Sequence, residues 1–187
     1  MYQLQYNDLE IFRKRFNCEL NIVAGDTDSF FLECKNVSVK NTLLPAMIEE
    51  NLLDTSKFPI THPLYSKRLA DVIGKFKDES KGIVEFKEWI FLRPKCYSML
   101  GLNINLNVEQ EKLKAKGIQI KQTKLKHANY LSAYNDGTIE SVNQTRIGSI
   151  NHQLYTIKNR KIALKCLDDK RCWVGKNKSY AYGHYRL

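Results

Sequence analysis

Asp26 and Asp28, one residue apart in the stretch AGDTDSFF (residues 24–31), are the residues whose types and spacing point most directly to chemistry. Carboxylates that close repel each other, and both stay ionised most easily when a cation sits between them. Hard divalent ions such as magnesium take oxygen ligands, usually one or two carboxylates with waters and substrate phosphates. Two such ions about 3.5–4 Å apart serve in-line displacement at phosphorus, one activating the attacking oxygen and the other steadying the leaving group. Asp26 and Asp28 do not finish that site by themselves; a further carboxylate from another strand is required to bridge the metals.

Other chemistries share the D-x-D spacing. An EF-hand calcium loop needs Asp or Asn at position 30 and Gly at 31, where Phe30 and Phe31 stand, so that reading fails. A nucleotide-sugar transferase site needs a nucleotide-binding βαβ region ahead of it, which the 25 residues before Asp26 are too few to hold. A solvated turn capped by its own aspartates is the usual fate of an Asp-rich turn, and on these eight residues it stays open.

The elements needed to hold the pair are legible. Residues 19–24 and 29–34 are short, apolar and rich in β-branched and aromatic side chains. They predict two strands joined by the Gly25–Ser29 turn, a hairpin with both aspartates at its tip. Leu9, Phe12 and Phe16 recur at three- and four-residue spacing, predicting an amphipathic helix over residues 2–16 that ends near Asn17. A helix is expected within 43–53, a loop at FPITHPLY, strands through IVEFKEWIFLRPKCYSMLGL and a helix over 120–134. A turn at Asn135-Asp136-Gly137 and three or four short strands complete the chain, with the best domain boundary near Gly117.

Composition bounds the partners. The chain of 187 residues is 43% hydrophobic and 27% charged, ordinary for a folded domain. Its formal charge of +10 points to a polyanion, either nucleic acid or an anionic membrane surface. Cys18, Cys34, Cys96, Cys166 and Cys172 are scattered and never spaced C-x-x-C, which argues for reduced thiols in an intracellular compartment rather than a disulfide framework or a zinc site. The first residues do not resemble a signal peptide, and no run is long enough for a membrane helix. The N-x-S/T triplets at Asn36, Asn143 and Asn177 therefore read as chance.

Basic residues supply a second candidate surface. Lys112, Lys114 and Lys116 alternate in EKLKAKGI, so an extended chain would point all three to one side, a row suited to a phosphate backbone. Such a row also discourages strand-to-strand aggregation, which is its more usual role. Lys95 and Tyr97, in RPKCYS, are spaced to share one face of a strand.

Gly-Asp-Thr-Asp-Ser after an apolar strand resembles the palm hairpin of family B DNA polymerases. The stretches LLDTSKFPITHPLYSKRLADVIGKFKDESKGIVEFKEWIFLRPKCYSMLG, KLKAKGI, LDDKRCW and YAYGHY follow in the family's order. They resemble the protein-primed branch, in particular polymerases of Polinton or Maverick elements and of linear plasmids and viruses, over nearly the whole chain. The resemblance implies an α+β fold: the C-terminal part of a palm over 1–117, an antiparallel hairpin with helices, and a small helix-plus-strands thumb over 118–187.

It also implies roles. Asp26 and Asp28 would ligate catalytic magnesium, Asp26 more directly, with Gly25, Thr27 and Ser29 completing the motif. Lys95 and Tyr97 match a Lys-x-Tyr motif associated with the primer terminus. Lys112, Lys114 and Lys116 would contact DNA, as would Lys121, Lys124 and Lys126. The implied partners are primer-template DNA, deoxynucleotide triphosphates, a terminal protein primer and an N-terminal polymerase half.

Departures set the limits. The family's upstream palm aspartate, fingers lysine and exonuclease carboxylates have no match here, and Ala24 stands where tyrosine is usual. The expectation is a DNA-directed DNA polymerase fragment, incomplete as a two-metal enzyme and inactive alone. The alternative is a non-catalytic DNA-binding remnant of a mobile element, or a decaying fragment that folds poorly. The nucleus is expected if the source is an integrated eukaryotic element. Asp168–Arg171 reads as a surface turn or a salt-bridge knot, and His184 as a packed structural residue.

Overall fold

The structure, a computed structural model, describes residues 1–167, 171–175 and 178–187. Asp168, Asp169 and Lys170 of the expected turn, and the Asn177 triplet, lie outside the described residues. The fold is mixed α+β. Among the described residues there are three α-helices, and the strand pairing is mainly antiparallel. No helix among them is long and apolar enough to cross a membrane.

The first helical segment is a π-helical turn over Leu4–Asp8 that runs into α1, Leu9–Phe16. Leu4, Leu9 and Phe12 are its buried positions, and Phe16 packs half-buried against the same core, so Leu9, Phe12 and Phe16 line one face at three- and four-residue spacing. Asn17 ends the helix in the left-handed conformation at φ 47°, with its N–H on the Arg13 carbonyl. Asn tolerates that conformation better than most residues, which is why the helix stops there. The chain reverses into β1 (Glu19–Asp26) and β2 (Ser29–Lys35), an antiparallel hairpin. The Arg13 guanidinium donates to the Leu20 carbonyl at 3.0 Å from Nε and ties α1 to the start of β1.

A second π-helical turn, Val39–Leu43, leads into α2 (Leu44–Glu49), shorter than the helix expected over 43–53. Short β3 (Leu53–Asp54) pairs in parallel with β4 (Phe76–Lys77), and the proline-bearing segment between them has no regular structure. A core of Leu4, Leu9, Phe12, Leu20, Leu43, Leu44, Met47, Leu53 and Phe58 binds these elements, with Ile22, Phe30 and Leu32 of the hairpin against it. Burying each such side chain contributes about 1.5–3 kcal/mol.

β5 (Val84–Arg93), β6 (Cys96–Asn103) and β7 (Val108–Ala115) form a meander in that order. Gly101 of β6 is required by close approach, since a Cβ there would meet the Glu85 carbonyl oxygen at 2.7 Å. The helix expected over 120–134 is cut to its second half. Residues Ile120–Gln122 form one 3-10 turn, and α3 spans His127–Asn135. Thr123 is the reason: its Oγ1 donates to the Ile120 carbonyl at 2.8 Å and accepts from Leu125 N, so the side chain competes with the helical ladder. The helix starts where Asn129 Oδ1 accepts from Lys126 N at 2.8 Å.

After the 135–137 turn the expectation of short strands is corrected. β8 (Glu140–Ile150) and β9 (Gln153–Leu164) are long and paired to their tip, followed by short β10 (Arg171–Trp173) and β11 (Ser179–Ala181). Tyr130 and Ala133 of α3 bury against Ile90, Leu92, Cys96, Ala115, Ala163 and Leu164 in a second core. The chain divides into two compact units, residues 1–86 with 101–110, and residues 87–100 with 111–187. Gly117, where the expected elements change from strands to a helix, lies within the second unit.

Candidate metal-ligand hairpin and basic surface

In the first unit, the register of β1 and β2 ends on the pair Asp26 and Ser29, leaving Thr27 and Asp28 as a two-residue loop. Both aspartates therefore sit at the tip, as expected. Asp26 is half-buried and Asp28 exposed. The Asp26 carbonyl accepts from Asp28 N at 2.8 Å and from Ser29 Oγ at 3.1 Å, and Thr27 Oγ1 donates to Asp26 Oδ1 at 3.3 Å. These short-range bonds link Asp26, Thr27, Asp28 and Ser29 to one another. Thr27 has φ 62°, a conformation that crowds a β-branched side chain. Gly25 faces Phe30 across the pair, where a Cβ would come within 3.3 Å of the Ser29 carbonyl.

A register shift between Ile22 and Ala24 bulges β1 at Val23. Bulges bend and over-twist the strand that carries them and re-aim the residues beyond the extra one. Past Val23, Ala24 pairs with Phe31 and Gly25 with Phe30, so the aromatic side chains belong to β2 and the small ones to β1.

The donors at this tip fit magnesium in type, since carboxylate and carbonyl oxygens are hard ligands. They fall short in number. Among the described residues no group of three or more His, Cys, Asp or Glu side chains is placed to hold a metal ion.

The second unit carries the cationic candidates and corrects their geometry. Lys95 is not on a strand: with Pro94 it forms the turn between β5 and β6, at φ 59° and exposed. Tyr97 lies two residues into β6 and is buried, its ring 5.5 Å from that of Phe91. The expectation that both share one strand face fails because the turn takes Lys95 out of the alternation. Lys112 and Lys114 do alternate along β7, half-buried and exposed respectively, while Leu113 and Ala115 face the core. Lys116 lies past the end of β7 in a turn, and its N–H donates to the Lys95 carbonyl at 3.1 Å.

That bond brings together two residues of the candidate set that lie in separate motifs of the sequence. The same corner holds Lys161 of β9, whose Nζ donates to the Gly117 carbonyl at 3.3 Å, as does Gln144 Nε2. Lys161 escapes sequence reasoning because its 44-residue separation from Gly117 leaves no local signal.

A buried contact between β6 and α3 escapes it too. Ser98 Oγ and His127 Nδ1 lie 2.6 Å apart, and His127 Nε2 is 3.4 Å from Glu88 Oε2. The order Ser-His-Glu resembles a nucleophile relay in composition only. Ser98 is fully buried, so no substrate carbonyl reaches it, and the Ser98–His127 pair acts as a buried polar tie, with His127 Nε2 near Glu88 but not hydrogen-bonded to it. His184, expected to be packed, stacks between Tyr180 at 4.5 Å and Tyr185 at 4.6 Å.

No protein-family model, curated protein sequence or solved structure matches the chain.

Proposed function

We propose that this chain is the palm-hairpin and thumb portion of a protein-primed family B DNA polymerase, contributing two of the carboxylates of a nucleotidyl-transfer centre. The observation that carries the reading is the D-T-D tip of the β1–β2 hairpin, with both aspartates on a support packed against a core. Asp26 and Asp28 would hold magnesium, which when bound supplies charge neutralisation at the phosphates of an incoming deoxynucleotide triphosphate. The chain's own part is to keep two carboxylates a fixed distance from each other through the Asp28 N and Ser29 Oγ bonds to the Asp26 carbonyl. Lys95, Lys112, Lys114 and Lys116 form the primer-template contact surface of the second unit, and Tyr97, buried beside Phe91, takes no direct part in it. That surface binds through phosphate, without sequence preference.

Two carboxylates are too few for the two-metal arrangement, so the 187-residue polypeptide does not extend a primer by itself. An N-terminal polymerase half would supply the remaining carboxylate and the triphosphate grip, and a terminal protein the priming hydroxyl. The test is primer extension with magnesium and all four nucleotides, with and without a separately expressed upstream half of a protein-primed polymerase. The reading predicts extension only with that half present, and its loss in Asp26→Ala. Extension by the chain alone, or extension indifferent to Asp26→Ala, would sink it. Salt-dependent DNA binding without complementation favours the alternative, a non-catalytic DNA-binding remnant, which the basic corner at Lys95, Lys116 and Lys161 supports.

A further inference from the structure

The free end of the β8–β9 ribbon is the largest surface that the nucleotidyl-transfer reading leaves unused. The strands run 11 and 12 residues, and among the described residues no third strand pairs with them. Only the base is anchored: Val142, Ala163 and Leu164 join the second core, and Gln144 is buried. Beyond Gln144 most residues of both strands are exposed, as far as the Asn151-His152 loop. Both loop residues have positive φ (48° and 62°), the backbone twist of a two-residue hairpin.

The register sorts this end into two zones. Nearest the loop, Ile147 and Leu154 lie on one face and Ile150 and Tyr155 on the other, so the tip is apolar on both sides. Ile147 is 77% exposed, Leu154 76% and Ile150 57%. Ile157 leans toward the tip across Gly148, where a Cβ would collide with its Cδ1, and extends the apolar surface of the second face. Behind the tip, Arg146 and Lys158 stand one residue pair apart, about 3.4 Å along the arm, on opposite faces. They form a cationic collar about 13 Å from the Ile150↔Gln153 pair, and Arg160 follows two residues beyond Lys158. From Ser141 to Leu164 there is no Asp or Glu. Ile162, exposed at the base beyond the collar, is a single apolar side chain of the ordinary kind.

One partner has to satisfy both zones. A nucleic acid or an acidic peptide takes up the collar and leaves the tip in water. An apolar groove on a protein covers the tip and has no use for the collar. A second copy brings two acid-free arms together, and they repel. An anionic bilayer meets both zones at once, because apolar side chains enter the acyl boundary while cations stay among the lipid phosphates. The backbone limits the depth. A two-stranded ribbon has open edges whose unpaired N–H and C=O groups are not tolerated in the hydrocarbon core, so the tip stops about 5–10 Å deep, where water still reaches them. Tyr155 suits that depth: its ring is apolar, and its hydroxyl donates to Gln153 Oε1 at 2.6 Å.

We propose that β8–β9 is a peripheral membrane-docking arm, which dips Ile147, Ile150 and Leu154 into an anionic phospholipid surface while Arg146, Lys158 and Arg160 contact lipid phosphates. The contact needs neither a divalent ion nor a nucleotide, so it stands independently of Asp26 and Asp28.

The experiment uses the full 187-residue chain in chelator, with vesicles of phosphatidylcholine alone or mixed with phosphatidylserine, at low and at physiological salt. Co-sedimentation measures partitioning. The wild-type chain is expected to bind the phosphatidylserine vesicles, to be released as salt rises, and to ignore pure phosphatidylcholine. Arg146→Ala/Lys158→Ala is expected to weaken partitioning roughly 30-fold at low salt, the effect of losing two cations beside an anionic leaflet. Ile147→Ser/Leu154→Ser is expected to weaken it roughly tenfold and to keep the salt dependence. Depth is read from Leu154→Trp, whose fluorescence is compared with that of the wild type, where Trp89 and Trp173 are the only tryptophans. The added signal is expected to shift to the blue on vesicles and to be quenched by lipids brominated high in the acyl chain.

The substituted side chains are exposed, so the variants leave the core untouched, and circular dichroism checks this. Absence of wild-type binding to phosphatidylserine vesicles, binding indifferent to either pair of substitutions, or an added tryptophan that is neither shifted nor quenched overturns the proposal. So does a loss of duplex-DNA affinity in Ile147→Ser/Leu154→Ser as large as the loss for vesicles, which would assign the tip to nucleic acid. Since the primer-extension test needs magnesium and Asp26 whereas this one excludes divalent ions, either can fail without the other.

Discussion

At the scale of single residues, Asp54 shows how a carboxylate is stabilised in a fold without being part of its chemistry. Its side chain is fully buried, Oδ1 accepts from Ser56 N at 2.8 Å and Oδ2 from Asp71 N at 3.2 Å, and Lys77 Nζ stands 3.4 Å away. Desolvation is the largest single influence and pushes its pKa up, but the hydrogen bonds and Lys77 together outweigh it and leave the carboxyl below its ordinary value. A folded-state pKa below the unfolded one adds stability that is present above the unfolded value, about pH 3.9, and lost as pH falls through the folded value. Asp54→Ala is therefore expected to cost about 1–3 kcal/mol at neutral pH by removing the partner of the half-buried Ser56 N and of Asp71 N and leaving a gap where a buried side chain stood. The gap to wild type should narrow below about pH 4, read from urea midpoints across pH. A gap that widens on acidification contradicts the assignment. Cys34 illustrates the inert thiol: burial, then Cys18 and Glu33 nearby, push its pKa up to about 11.

At the scale of elements, the hairpin tip carries a strain that the sequence motif does not announce. Thr27 at φ 62° is the first residue of the two-residue loop, a position where glycine is at ease and a β-branched side chain is crowded. Thr27→Gly is expected to leave stability unchanged or raise it by up to about 1 kcal/mol, because relief of crowding offsets the greater freedom of the unfolded chain. Thermal unfolding checks this, and a clear loss of stability would show that the Thr27 hydroxyl, which bonds Asp26 Oδ1, matters more than the backbone strain. The hairpin is readable because alternation and turn residues are local signals. The N-terminal half of 120–134 departs from its expected helix because periodicity takes no account of Thr123, whose hydroxyl captures the Ile120 carbonyl.

At the scale of the whole molecule, the second unit is discontinuous in sequence: residues 87–100 and 111–187 share one core. Tyr130, wholly buried, donates its hydroxyl to the Lys114 carbonyl at 3.0 Å and packs with Ile90, Leu92 and Cys96. A fragment of residues 118–187 lacks these partners, and below about 70–80 residues a single core has little stability to spare. That fragment is expected to lack cooperative unfolding by circular dichroism, whereas a fragment of residues 87–187 retains it. Cooperative unfolding of 118–187 would show that the core residues ahead of Gly117 are dispensable.

What the sequence determined by itself were the features with local physical causes. The D-x-D pair on a turn, the two strands beside it, the helix ending at Asn17 and the excess of positive charge all arise from residue type and spacing over a few positions. The tertiary structure decided what depends on residues distant in the chain. It took Lys95 out of a strand and into a turn beside Lys116, buried Tyr97, brought Lys161 to Gly117 and paired strands of 11 and 12 residues into a ribbon with an exposed apolar end. Strand length and register are set by cross-strand partners and by which face finds a core, and neither is written in the spacing of one strand.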